Sequence, residues 1–307
     1  MASISPTPSS WAHRGRPFRL KRRPDERVRV LGALMDLVRF EEVFHFVSER
    51  LSAGEKTIIA NHNLHSLYLL RRDAKMRQFF DMAHLIEVDS MPLIFWARLM
   101  GRRSRKFHRC TYLDWREEFW SLAIERGWRV FFLGGAPGVA EAAQERLLTQ
   151  WPTATLSVHT GYFDHQLGSD DNEALLKRLE AFQPDILFVG MGMPLQERWI
   201  VDHFDRLPTT AIFPVGGAFD YEAGIQVECP RILGQLGLEW LFRLCLDPKR
   251  LFFRYCVEPY YLFWLALRDI AHRLFGKPEP KLSWPADERE RDRAWSAVNN
   301  SRAGSGP

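Results

Sequence analysis

Six short runs of β-type residues, separated by helix-like stretches, leave this chain few folds to choose from. The runs are 56–60 (KTIIA), 84–88 (HLIEV), 129–133 (RVFFL), 155–159 (TLSVH), 185–189 (DILFV) and 210–215 (TAIFPV). Helical patterns fall between them, as at 137–150 and 170–182. Strands that alternate with helices pair in parallel, because each helical crossover returns the chain to the end of the sheet where the previous strand began. Near-continuous apolar strands such as DILFV suit a sheet covered on both faces. The expected fold class is therefore α/β: a Rossmann-like, mainly parallel sheet with helices on both faces.

The chain ends differ from this middle. Residues 1–29 are rich in Ser, Pro and Arg, and 276–307 carry Pro278, Pro280, Pro285 and a mixed-charge run. Both read as disordered tails. After about residue 228 the strand signals stop, and two helical segments follow, near 230–246 and 248–272. The expected organisation is a basic tail (1–29), an α/β domain (30–228), a helical appendage (229–275) and a second tail (276–307). The appendage mixes Arg231, Arg243, Lys249, Arg250 and Arg254 with Trp240, Phe242, Phe252, Phe253 and Tyr255. Cations interleaved with aromatics on helices suit an anionic membrane interface. An ordinary packed helix with a solvated basic face explains the same pattern. A nucleic-acid surface is disfavoured, because Glu239, Asp247, Glu258 and Asp269 dilute the charge.

Composition excludes several classes. Apolar residues make up 46% and charged residues 26%, as in a globular protein rather than a disordered one. The four cysteines form no C-x-x-C pair and no zinc spacing, which points to free thiols in a reducing compartment. The N-terminus has basic residues but no apolar core behind them, so it does not read as a secretory signal. No stretch of about 18 uncharged apolar residues is present. These features predict a cytoplasmic protein with peripheral membrane contact.

Open parallel sheets bind ligands where their strands end. Three strands here run into glycines: Gly134 and Gly135, Gly190 and Gly192, Gly216 and Gly217. Glycine lets backbone approach a phosphate, and a following helix N-terminus offers free N–H groups. One such loop is weak evidence, but three at consecutive strand ends suggest a diphosphate crevice. No P-loop or dinucleotide fingerprint is present. Asp89 follows the second strand and serves either as a general base or as a cap of the next helix. Asn61 and Asn63 follow the first strand, and Asn63 has an amide to offer a sugar or base. Arg109 suits a phosphate, and Gln196 is expected to project toward the crevice. There is no D-x-D pair to hold a metal–nucleotide complex. Neither a metal nor another cofactor is expected, and arginines must then balance the diphosphate.

At this point the sequence resembles a known family, the WecG/TagA/CpsF glycosyltransferases of bacterial cell-surface polysaccharide synthesis. FFLGGAPGVAEAAQERL, GYF at 161–163, PDILFVGMGMPLQERWI and PVGGAFDYEAGIQVECPRILGQLGLEWLFRLCLDPKRLFFRY match its motifs in order. The resemblance implies an inverting, metal-independent transfer from a UDP-sugar to a polyprenyl-diphosphate-linked saccharide at the inner face of the cytoplasmic membrane. It allows a homo-oligomer and implies no nucleic-acid partner. Asp89 matches the proposed general base, in a motif that reads V-D-S here instead of A-D-G. Asn63, Arg109 and Gln196 match family positions. Asn61 stands where many members have Thr, Tyr112 replaces a glycine, and Leu195 replaces a lysine. Arg243 and Arg250 match arginines of the appendage that complete the active site. The three altered positions also keep a second reading, a non-catalytic nucleotide-sugar-binding subunit of an assembly complex.

Overall fold

The computed structural model describes residues 27–275, except 209, 228, 231–232 and 234–237, and except the side chains of Glu239 and Arg250. The tails at 1–26 and 276–307, together with Arg231, lie outside the described residues. All six expected strands form. They are β3 (Thr57–His62), β4 (Leu85–Val88), β5 (Arg129–Gly134), β6 (Thr155–His159), β7 (Ile186–Gly190) and β8 (Ala211–Pro214). They make one parallel sheet in the order β4-β3-β8-β7-β5-β6.

Successive side chains of a strand point to opposite faces, and both faces are covered. Val130 and Phe132 of β5 join Phe188 and Phe213 in a core with α1 (Phe40–Ser52), α5 (Tyr112–Arg126), α6 (Val139–Gln150) and α9 (Ala218–Glu222). Phe131 and Leu133 point the other way, with Leu187, against α3 (Ala74–Met82), α7 (Asp170–Phe182) and α8 (Leu195–His203). Between β3 and β4 the chain forms two helices, α2 (Leu64–Leu70) and α3. The break lies at Asp73, whose carboxylate accepts Lys75 N and Met76 N and so starts a new helix.

The expected tail boundary at residue 29 moves. Arg27–Val30 (β1) and Ala33–Asp36 (β2) form an antiparallel hairpin. Its two-residue turn, Leu31 and Gly32, has φ of 49° and 75°, the left-handed pair that a tight hairpin needs. Arg27, which reads as part of a solvated basic tail, is buried and makes a bidentate pair with Asp36 at 2.7 and 2.8 Å. Asp36 also accepts Ile86 N at 2.8 Å. The hairpin thus covers the β4 edge, which would otherwise offer unpaired N–H groups.

The appendage begins with α10 (Glu239–Leu246) and α11 (Pro248–Phe252). A π-helical turn, Phe253–Val257, leads into α12 (Glu258–Phe275). Polar hooks seat α12 on the body. Glu258 meets His65 Nδ1 at 2.7 Å. Asp269 accepts Leu31 N at 2.7 Å and Trp96 Nε1 at 3.1 Å, the latter from α4 (Met91–Leu99). Leu262 is buried among the hairpin, α2 and α4. The opposite side of α12 exposes Tyr260, Phe263 and Trp264. No helix among the described residues is long and apolar enough to cross a membrane.

Removing one partner of a buried pair strands the other. Asp36→Ala should cost about 3–5 kcal/mol in urea unfolding, while replacing both Arg27 and Asp36 by apolar residues of similar size should cost much less. Equal losses in the two variants would show that the pair is not the source of the effect.

Candidate active site

The strand ends set the site. At Gly134 a Cβ would collide with the Gly190 carbonyl, and at Gly190 it would lie 2.6 Å from Gly216 O. The neighbouring strands β5, β7 and β8 therefore end with their backbones in contact, and no side chain fills the space above them. A cleft of about 1230 Å³ opens there. Asn61, Asn63, Asp89, Arg109, Gly135, Gly190, Gly192, Gln196, Gly216, Gly217 and Arg243 all line it. Gly134 does not. It sits one layer below, so its role is to let the strands approach. The side chain of Arg250 lies outside the described residues.

Asp89 follows β4, and its N–H donates to His62 O at 2.9 Å. Ser90, not Asp89, occupies the N-cap position of α4. A chamber of about 230 Å³ adjoins the cleft and shares Asp89, Asn63, Arg109, Arg243 and Arg254 with it. The chamber is bounded by α2, α4 and the appendage residues Trp240, Tyr255 and Pro259. Asp89 thus stands where two spaces meet.

Arg109 is brought beside Asp89 by a short parallel bridge to Val88, with Cys110 N donating to Val88 O at 2.9 Å. Asp114 holds the Arg109 guanidinium at 3.0 Å and accepts Thr111 Oγ1 at 2.9 Å. Asp114 is therefore part of the arginine's mounting. Asn63 does cap α2, its Oδ1 accepting Ser66 N at 2.9 Å. Asn61 Nδ2 donates to Pro214 O at 3.0 Å, and its buried Oδ1 has no hydrogen-bond partner among the described residues.

Gln196 reaches the cleft lining, but it is buried and its amide is committed. Oε1 accepts Gly192 N and Gly216 N, both at 3.1 Å, and Nε2 donates to Glu197 at 2.7 Å. Tyr112 does not intrude as a polar group either: its hydroxyl accepts Trp120 Nε1 at 3.0 Å within the aromatic core.

Several lining residues escape a sequence reading. Lys106 and Arg254 add cations to the cleft, and Tyr162 and His165 lie at its lip. Arg254 sits in the π-helical turn, a distortion often found at functional sites. Desolvation, with Arg243 nearby, lowers its pKa from the ordinary value. Its place among the basic and aromatic residues of the appendage was visible, but not which of them would turn inward. Tyr162 belongs to the GYF element and is 71% exposed.

Beneath Asp89 lies a second acid. Glu87 is buried, and burial, then the charge of Asp89, push it up to about 8 despite a hydrogen bond from Cys110. Burial likewise pushes Glu197 up to about 7. His62 and His84 go the other way, to about 3, because burial disfavours their charged forms. Among the described residues no cluster of His, Cys, Asp and Glu has the makings of a metal site.

Comparison with known proteins now bears on this geometry. The family model described as "Glycosyl transferase WecG/TagA/CpsF family" matches residues 28–275. Similar curated proteins include the N-acetylglucosaminyldiphosphoundecaprenol N-acetyl-beta-D-mannosaminyltransferase of Staphylococcus aureus strain NCTC 8325 / PS 47, and that of strain COL. Each is 29% identical to this chain over 206 residues, 64% of this chain and 78% of the relative.

Glu87 should leave a signature in stability. It keeps its proton in the folded chain up to about 8, against 4.5 ordinarily, so the folded state binds the extra proton between those values. Stability must fall as pH rises through that window. Glu87→Gln should flatten the fall seen in Tm between pH 5 and 9. A slope identical to the wild type would place the titration elsewhere.

Proposed function

The chain belongs to the WecG/TagA/CpsF glycosyltransferase family, and on that premise we propose that it moves a hexose or N-acetylhexosamine, with inversion, from a UDP-sugar to a polyprenyl-diphosphate-linked saccharide. The reaction would serve bacterial exopolysaccharide or other cell-surface polysaccharide synthesis. The observation that carries the reading is the position of Asp89 at the junction of the cleft and its side chamber, with Arg109, Arg243 and Arg254 around it. The relatives' name supports the acceptor class, since they are named for transfer to a sugar on diphosphoundecaprenol.

In this reading the UDP-sugar occupies the large cleft, with its diphosphate toward the arginines and the glycine loops. The acceptor saccharide enters through the chamber beside the appendage. Asp89 takes the proton of the acceptor hydroxyl as that oxygen bonds to the anomeric carbon. The bond from the anomeric carbon to the diphosphate oxygen breaks, and its electron pair leaves with UDP. Lys106, Arg109, Arg243 and Arg254 stabilise the charge that develops on the leaving group. They take the part that a metal plays in D-x-D transferases, so the transfer runs without one.

The appendage brings the acceptor to the site. Tyr260 and Trp264 are 77% and 73% exposed on α12, with Phe252 and Phe253 exposed before it. Such aromatics beside arginines favour the headgroup layer of an anionic bilayer. The protein then rests peripherally on the inner face of the cytoplasmic membrane, where polyprenyl diphosphates present their sugars.

The test is transfer in acceptor-loaded vesicles with a panel of UDP-sugars, with and without EDTA. Asp89→Asn should lower kcat by about 10²–10⁴-fold while leaving UDP binding intact. Near-normal turnover in that variant removes Asp89 as the base, and loss of activity in EDTA counts against the metal-free route.

A further inference from the structure

Two backbone N–H groups at neighbouring strand ends compete for one oxygen. Gly192 N, after β7, and Gly216 N, after β8, both donate to Gln196 Oε1 at 3.1 Å. A carboxamide has a donor end and an acceptor end of almost the same shape. Only one of its two orientations serves the glycines, because the flipped amide would turn its own N–H groups against theirs. The structure supplies one acceptor on the far side to set that choice: Glu197 Oε1, 2.7 Å from Gln196 Nε2. Both side chains are 1% exposed, so water does not substitute for either partner. The other Glu197 oxygen, Oε2, is buried without a hydrogen-bond partner among the described residues. The Glu197 carboxylate also meets its own backbone N–H and feels the charge of Arg254, and the Gln196 amide is its side-chain hydrogen-bond partner.

We propose that Glu197 is a positioning residue for the donor site. It fixes the orientation of the Gln196 amide, and through it locks the Gly192 and Gly216 loops at the spacing that shapes the cleft floor. This rests on the reading of the cleft as a nucleotide-sugar site. The locking itself is separable from that reading, because it concerns two amide hydrogens that can be watched directly.

The roles of the two side chains are exchangeable, which gives the test. In E197Q the new amide oxygen still accepts from Gln196, so the lock holds. In E197A the acceptor is gone. In Q196E, once the pH is high enough to ionise both groups, two carboxylates face each other where one donor and one acceptor are needed. Adding E197Q to Q196E restores the complement: the carboxylate at 196 takes both glycine N–H groups, and the amide at 197 donates to it. The readouts are amide hydrogen exchange at Gly192 and Gly216, calorimetric Kd for UDP, and the split between KM for the donor and kcat.

Exchange at both glycines should quicken in E197A and Q196E, and return toward wild type in E197Q and in Q196E/E197Q. UDP Kd and donor KM should rise about tenfold in the first two, the equivalent of one lost hydrogen bond, with kcat at saturating donor changed less. The inference is overturned if folded E197A protects both amides as wild type does, or if the double variant is no better than Q196E. If the wild-type protein binds no UDP, the donor reading fails, and the exchange data alone decide the lock.

Discussion

The cleft exists because three backbones touch. Gly134, Gly190 and Gly216 end adjacent strands, and none of the contacts between them leaves room for a Cβ at Gly134 or Gly190. A side chain at either position would push the strand ends apart and fill the space above them. What remains is a floor of main chain, whose Gly192 and Gly216 N–H groups are held by Gln196. Such a floor imposes no steric gate, and specificity must come from the walls. The walls are the loops and helices that carry Asp89, Arg109 and the appendage arginines.

Those walls come from regions far apart in sequence, and polar contacts between buried or half-buried groups hold them together. Asp269 ties α12 to the turn of the N-terminal hairpin, while the Arg27–Asp36 pair fixes that hairpin to the sheet edge. Glu258 ties the start of α12 to His65, two residues after Asn63 on the cleft wall. Directional bonds of this kind contribute about 0.5–1.5 kcal/mol each when neutral and more when charged. Their larger effect is on register: an apolar interface alone would tolerate sliding of α12, and sliding would carry Arg254 away from Asp89.

The sheet was legible from sequence because each strand is a short apolar run closed by glycine or a polar turn, and all six form where the pattern put them. The hairpin was not legible. Its outward arginines resemble a disordered basic tail, and Arg27 is buried only because Asp36 lies across the turn from it. Part of the cleft lining was legible as strand ends, since Asn61 and Asn63 at the end of β3 and Asp89 after β4 all reach it, whereas Arg109 reaches it through its bridge to Val88. The orientation of Gln196 was hidden, because its partners include Gly216, twenty residues away on another strand. Lys106 and Arg254 were hidden for a similar reason: a basic residue in a basic segment carries no sign of which way it will face.

The burial of Glu87 gives the charge pattern its final sense. A second ionised carboxylate beneath Asp89 would offset part of the positive field of the surrounding arginines. Burial pushes the Glu87 carboxyl up to about 8, so at neutral pH it is mostly protonated and adds little charge. Asp114 has its charge spent on Arg109, which it orients. The cleft wall then carries Lys106, Arg109, Arg243 and Arg254 against Asp89, Asp114 and Asp220. In a space lined by low-dielectric walls such an array is screened less than on an open surface. In the proposed transfer it draws the anionic donor toward the strand ends and holds the developing phosphate charge within reach of Asp89.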